Sequence, residues 1–350
     1  AITSGKLTSK TSLEDRDGGT RATLEAARCL LGKIYLYQEK YTDAKSELEK
    51  VISSGKYDLI ADVSTFYHPA SAGCKEYVLE CVRHYDPSNM YSQEGWFGIL
   101  ANWGFGYGFI AGPEASMHYK FNTTSGYSYF NPSKSLYDAF VAEEGADGYR
   151  LNAWIRTWEQ VIAMNIAVNT TTNKYASEGY FRLKWLASTD DEFVGYWCGN
   201  QSNTPVIRYA DVLLMAAEAC LQAGDQAGAD EYLGRVRDRA RLPRKSHVTL
   251  SDIKLERRLE LAMEGMRFQD LKRWGDAPAV LADKGKKLPT FQIVPDPNND
   301  LTTAAGIYNA RYTTKTTYVD NEKSLAGWTP NRDEWLPFPE NELEVNSNLK

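Results

Sequence analysis

PVIRYADVLLMAAEACLQAGDQAGADEYLGRVRDRARLP, residues 205–243, is the stretch whose reading decides the fold. Arg208 to Leu221 reads as one helix, Gly224-Asp225 breaks it, and Ala227 to Arg239 reads as a second. Set against the tetratricopeptide spacing of about 34 residues, Ala217 takes the close-approach position and Cys220 the next turn of the first helix. Ala229 takes the small position of the second helix, with Leu233 and Val236 one and two turns on. Small residues let two helix backbones approach, and the larger ones fill the groove between them. A plain αα-hairpin is the alternative. A second unit favours the repeat: GTRATLEAARCLLGKIYLYQEKYTDAKSELEKVISSGKYDL (19–59) has Gly32 at the small position, Tyr35 at the aromatic one, and Ala44, Leu48 and Val51 on its second helix. Gly55 stands where a left-handed helix stop is needed.

The 350 residues are 43% apolar and 25% charged, ordinary for a globular chain. A net charge of −6 argues against nucleic acid as a partner, because phosphate binding needs a basic face. No apolar run reaches the length of a membrane-spanning helix. Of five cysteines, Cys29 and Cys220 sit on apolar helix faces and read as buried small hydrophobes. Cys74 and Cys81 flank a strand, KEYVLECV, and spacing alone gives a bridge between them little support. The four histidines are scattered, with no zinc-ligand spacing, and no metal or other cofactor is expected.

The chain divides into a helix-pair unit with a leading loop (1–60), a loop-rich insertion (61–204), a central helix pair with a following amphipathic helix (205–276), and an irregular C-terminal wrap (277–350). Ser251 is placed to cap that amphipathic helix, which runs through LERRLELAMEGMRFQDLKRWG with Leu255, Leu259 and Met263 on one face. The fold class is therefore mostly α: a tetratricopeptide-like scaffold carrying a long aromatic, glycine-rich insertion and short strands. Within the insertion, residues 91–130 hold 12 aromatics and 7 glycines with no sustained period. A loop that long is usually functional or disordered, and so many rings argue against disorder.

Four stretches in combination, GTRATLEAARCLLGKIYLYQEKY, NPSKSLYDAF, PVIRYADVLLMAAEA…VRDRARLP and ERRLELAMEGMRFQDLKRWG, resemble the SusD/RagB family of glycan-binding outer-membrane lipoproteins. EWLPFPENELEVNSNLK looks like that family's C-terminal signature. The resemblance implies a protein of the outer-membrane surface that does no chemistry. It holds an oligosaccharide or polysaccharide over a SusC-like TonB-dependent transporter, which imports it. Family members begin with a lipid-anchored Cys and an early helical region that have no counterpart in this chain. An N-terminally truncated form is expected, its membrane attachment running through the anchor that is absent from it.

A pyranose presents apolar C–H faces and a rim of hydroxyls, so its site needs exposed flat rings and directional polar groups. Trp96, Trp103 and Tyr107 are the leading platforms. Gly104-Phe-Gly106-Tyr-Gly108 lets backbone come close to a ligand, and Asn102 and Glu94 are nearby polar candidates. The bland reading is that such rings pack the insertion onto the helices. Gly104-x-Gly-x-Gly lacks the context of a dinucleotide loop, and Asp296-Pro-Asn298-Asn-Asp300 lacks the Gly and Glu of a calcium loop and reads as a surface turn.

Arg257, Arg258, Glu260, Glu264, Arg267, Asp270 and Arg273 form a dense charge pattern, with Arg267 and Asp270 spaced to pair on one helix. Without a nucleophile or phosphate loop beside it, this pattern reads as ion pairs tying helices to loops. The alternative function is a glycoside hydrolase on an α-helical scaffold, drawing two carboxylates from Glu94, Glu114, Asp138, Glu143, Glu144 and Asp147. A weaker third reading is a peptide-binding repeat groove.

Overall fold

The computed structural model describes residues 1–18, 21–82, 131–157, 159–160, 174–175, 177–184, 203–300, 302–303, 306, 311–322, 326–335 and 344–345. The expected helix pairs form with little displacement. The first pairs α1 (Leu24–Tyr37) with α2 (Tyr41–Ile52). Thr23 caps α1 by accepting from the Ala26 amide. Ala26, Cys29, Gly32 and Leu36 are buried on α1, and Ala44, Leu48 and Val51 on α2. Gly32 is at the closest approach: a Cβ there would stand 2.7 Å from Leu48 Cγ. Gly55 ends the unit at φ +67°.

An extended strand leads into the central pair. α3 (Lys134–Glu144) and α4 (Tyr149–Trp154) come earlier in the chain, and from this strand, Thr204–Arg208, run α5 (Tyr209–Gln222) and α6 (Gln226–Arg239). Every residue of α5 from Tyr209 to Cys220 is buried, as expected of a helix enclosed on all sides. It packs on α6, on α2, on α1 and on α7 (Leu250–Glu260). Ala217, Cys220, Ala229, Leu233 and Val236 all lie in this core, matching the repeat register. Gly224 turns the chain at φ +83°, and Asp225 caps α6 through the Gly228 amide.

Two boundaries differ from the sequence reading. The cap of α7 is Thr249 rather than Ser251: Thr249 and Asp252 form a reciprocal capping box. The long amphipathic helix is broken, since α7 ends at Glu260 and α8 (Arg267–Arg273) starts after a turn containing Met263 at φ +64° and Gly265 at φ +80°. A short α9 (Ala277–Val280) follows.

The strands are short except at the C-terminal end. β1 (Tyr77–Cys81) pairs antiparallel with β5 (Thr204–Arg208), and β2 (Ile155–Thr157) with β4 (Tyr180–Arg182). β3 (Lys174–Tyr175), β6 (Lys287–Pro295) and β7 (Tyr312–Asp320) form a three-stranded sheet in that order. The nine-residue β6–β7 pairing, Lys287 opposite Asp320 through Pro295 opposite Tyr312, is regular structure where the C-terminal wrap was read as irregular. A second core, including Phe66, Tyr67, Tyr77, Phe140 and Trp154 of the insertion, is closed by Leu259 of α7. Ile253 of α7 belongs to the first core and Leu259 to the second, so this one helix joins them.

Candidate functional site

The insertion leaves the scaffold and returns to it at one place. Cys81 at the end of β1 is opposite Thr204 at the start of β5, so the chain departs towards the aromatic segment beside the point where it comes back. The second root is Ile155 opposite Arg182 across β2 and β4. The first root bridges the two cores, with Val78 and Ile207 in the first and Tyr77 in the second; the second root stands on the second core, where the Trp154 indole N–H donates to Val63 O at 3.1 Å.

Beneath the roots is a buried ionic network built on the end of α7 and the start of α5. Glu260 accepts from Arg150 Nη1 and Arg208 Nη2, each at 3.1 Å, and from Arg239. Glu76 takes Arg208 at 2.7 Å and Arg239 at 3.0 Å. Glu264 takes Arg208 at 2.7 Å and Lys184 at 2.5 Å. Arg150 also bonds Glu144 at 2.7 Å and Glu256. Phe66 lies against two of the cations, its ring centroid 4.7 Å from Arg208 Cζ and 5.4 Å from Arg239 Cζ. Burial by itself would raise the Glu260 pKa, but Arg239, Arg208, Arg150 and Lys184 together hold it well below the carboxylate range. At Glu76 burial prevails over Arg239 and Arg208, and its pKa rises. Burial lowers Lys184 to about 8, against the pull of Glu264; its ammonium sits 3.8 Å from the Trp154 ring centroid.

A second network joins α8 to α5: Arg257 bonds Asp211 at 2.8 Å and Asp270 at 2.9 Å, and Arg273 bonds Asp270 at 2.9 Å and Glu218 at 2.7 Å. Asp270 is thus taken by Arg257 and Arg273 rather than by Arg267. Arg258 reaches Ser135 at the start of α3. The charge pattern of this signature stretch therefore performs the tying role: its acids carry guanidinium or ammonium partners from other elements, and what it holds is the seat of the insertion.

Trp96, Trp103, Tyr107, Asn102 and Glu94 lie outside the described residues. Of the acids considered for hydrolysis, Glu94 and Glu114 are outside them too. Glu143 is paired with Arg237 and Lys245, buried Glu144 with Arg150, and Asp138 with Lys134. Glu49, Cys220 and Asp225 bring three ligand-type atoms within 4.8 Å. Lys45 pairs with Asp225 at 2.7 Å, and burial pushes the Cys220 thiol up to about 12, so the cluster as it stands is an ion pair beside a protonated thiol. Cys74 and Cys81 are free thiols. Asp296 closes a surface turn through the Asn298 amide at 2.9 Å.

The structure brings together three tyrosines that no local pattern linked. Tyr137 and Tyr180 stack with ring centroids 4.5 Å apart, and Tyr318 donates from its hydroxyl to Glu178 Oε1 at 2.6 Å. They come from α3, β4 and β7, and only the tertiary arrangement makes them neighbours.

Among the described residues no helix is long and apolar enough to cross a membrane. The family model described as the SusD family matches residues 75–350. A SusD-like protein of Formosa agariphila is 25% identical over 355 residues, covering 92% of this chain and 57% of its own. A solved structure named as a laminarin-binding SusD-like protein is 30% identical, with a TM-score of 0.62 over 78% of this chain and 58% of that one. Surface glycan-binding protein A from Bacteroides thetaiotaomicron, in complex with laminarihexaose, is 21% identical, with a TM-score of 0.69 over 100% of this chain and 67% of that one; at that identity it speaks to the fold. The chain spans between 14% and 57% of the lengths of the curated relatives it matches.

Proposed function

We propose, because the chain belongs to the SusD family, that it binds glycan at the outer-membrane surface and hands it, uncleaved, to a SusC-like TonB-dependent transporter. The observation that carries this reading is the family match itself, which spans residues 75–350 and so takes in most of the insertion, its ionic seat and the central helix pair. The described residues support it: a helical frame with paired buried charges holds Cys81 and Thr204 side by side, and the aromatic, glycine-rich stretch lies between them in the sequence. Trp96, Trp103 and Tyr107 stack on pyranose faces, while Asn102 and Glu94 address the hydroxyl rim. Rings contributing on the order of 1 kcal/mol each, two or three of them with hydrogen bonds, give affinities of roughly millimolar to micromolar. That range suits capture followed by release.

Laminarin and its oligosaccharides are the first ligands to test, because a relative 30% identical to this chain is named for laminarin. Electrophoresis through gels containing laminarin and a panel of other polysaccharides should retard the protein in at least one of them. Incubation with the same glycans should release no shorter products. Free migration through every gel rejects the binding reading, and release of reducing ends replaces it with glycoside hydrolysis.

A further inference from the structure

We propose that Tyr137, Tyr180 and Tyr318, with Glu178 among them, form a platform for an uncharged oligosaccharide. This rests on the glycan-binding reading above and assigns it residues that the sequence reading did not name as ligand contacts.

The platform is built from three elements that have no reason in sequence to meet. Ser133 caps α3 through the Leu136 amide, which sets Tyr137 on the first turn of that helix. Tyr180 begins β4, and its ring lies on that of Tyr137 with an interplanar angle of 27°. Tyr318 stands near the end of β7, with 49% of its surface exposed. Glu178 ties the three together: its Oε1 accepts from the Tyr318 hydroxyl, and its Oε2 accepts from the Lys134 amide at the N-terminus of α3, where the helix dipole favours a negative charge. Lys134 in turn holds Asp138 at 2.8 Å and 2.6 Å through its ammonium. In the sequence, Ser133 follows the aromatic segment of residues 91–130 by three residues.

The chemistry selects the ligand class. A half-exposed phenol ring offers a flat apolar face with a polar edge, as the C–H face of a pyranose requires. The Tyr318 hydroxyl is committed as a donor to Glu178, so its oxygen is presented to the ligand as an acceptor. Its hydrogen bond to Glu178, then burial, push its pKa up to about 12, so the phenol stays protonated and keeps this polarity. Glu178 and Asp138 add carboxylate oxygens, while of the cations at the start of α3 Lys134 is paired with Asp138 and Arg258 is bonded to Ser135. Such an array accepts from sugar hydroxyls and repels uronates and sulfate esters. A neutral hexopyranose chain fits it, whereas an anionic polysaccharide does not.

The test compares wild type, Tyr180→Ala, Tyr318→Ala and Tyr318→Phe by titration calorimetry against neutral oligosaccharides (laminari-, cello-, malto- and manno-hexaose) and anionic ones (oligogalacturonate and oligoalginate). Thermal unfolding of each variant checks its fold. The expected result is that wild type binds a neutral hexasaccharide and no anionic one. Each alanine variant then binds it about tenfold more weakly, and Tyr318→Phe, which keeps the ring and loses the acceptor, about threefold more weakly, where tenfold corresponds to about 1.4 kcal/mol. Should an alanine variant fail to fold, Tyr318→Phe decides. Wild-type affinity in the folded variants overturns the platform and leaves the glycan-binding reading standing. Binding of anionic oligosaccharides alone overturns the ligand class assigned here, again without touching that reading. No binding by wild type to any glycan, in this panel or in the gels, overturns both.

Discussion

Arg150 Nη1 lies 3.1 Å from Glu260 Oε2, and neither side chain has any exposed surface. The pair joins residues 110 positions apart, one on α4 inside the insertion and the other at the end of α7. Glu260 answers two further guanidiniums, those of Arg208 and Arg239. Removing its charge leaves a crowd of buried cations short of one anion, and breaking a buried pair from one side costs about 3–5 kcal/mol. Glu260→Gln is therefore expected to lower the urea midpoint by a large fraction of the protein's stability. An unchanged midpoint would show that the network contributes nothing to folding.

The same residue sets an expectation for acid. Burial opposes ionisation of Glu260, but Arg239, Arg208, Arg150 and Lys184 outweigh it, and the folded pKa lies well below the unfolded value of about 4.3. A depressed carboxylate contributes stability that is present above its unfolded pKa and is lost as pH falls through the folded one. Glu264 and Asp270 are shifted in the same direction, Glu76 and Glu144 in the opposite one. Wild type should lose stability as pH falls below about 4, and the gap between it and Glu260→Gln should narrow over the same range, because a protonated Glu260 resembles the amide. Urea titrations at a series of pH values read that gap directly; a gap constant down to the lowest pH would rule the assignment out.

What the sequence made legible is what repeats at short range. Ala217, Ala229 and Gly32 mark helix contacts because small residues recur at helical spacing, and all three positions are buried as that spacing requires. The acids and bases of the signature stretch were visible, but their partners were not: Arg208 lies 132 positions from Glu76, and no local rule spans that distance. The β6–β7 hairpin was hidden for another reason. Pro289 and Pro295 argue against a strand, and TTKTTY offers no apolar alternation, yet Pro289 sits opposite Tyr318 in regular register. The break between α7 and α8 was masked by an apolar period that runs on through Met263, a residue the fold places at φ +64°. Trp96, Trp103 and Tyr107 stand outside the described residues, so the sequence argument for them remains a proposal.

Gly32 tests the helix pairing. Replacing a helical glycine by alanine ordinarily stabilises by about 1 kcal/mol. Here the new methyl would stand 2.7 Å from Leu48 Cγ and 2.9 Å from its Cδ2, and Leu48 is fully buried with no room to retreat. Overpacking of this kind costs about 1–3 kcal/mol, so Gly32→Ala should be neutral to destabilising and Gly32→Val clearly destabilising, both read as thermal midpoints. A stabilised Gly32→Ala would mean that α1 and α2 do not approach as closely as the repeat register requires.

Trp103→Ala separates the frame from the grip. The two cores and the ionic networks of the described residues hold the frame, and the proposed reading sets Trp103 against the glycan rather than into that frame. A substitution away from cores, caps and buried charges usually changes stability by no more than about 0.5 kcal/mol, so the unfolding midpoint of Trp103→Ala should stay at the wild-type value. Its retardation in a glycan gel should be lost, because truncating a stacking ring removes its apolar face and its contribution together. Glu260→Gln should behave in the reverse way below its lowered midpoint, less stable yet still retarded. Full retardation of Trp103→Ala removes that residue from the site, while a large drop in its midpoint assigns the ring to packing instead of to sugar.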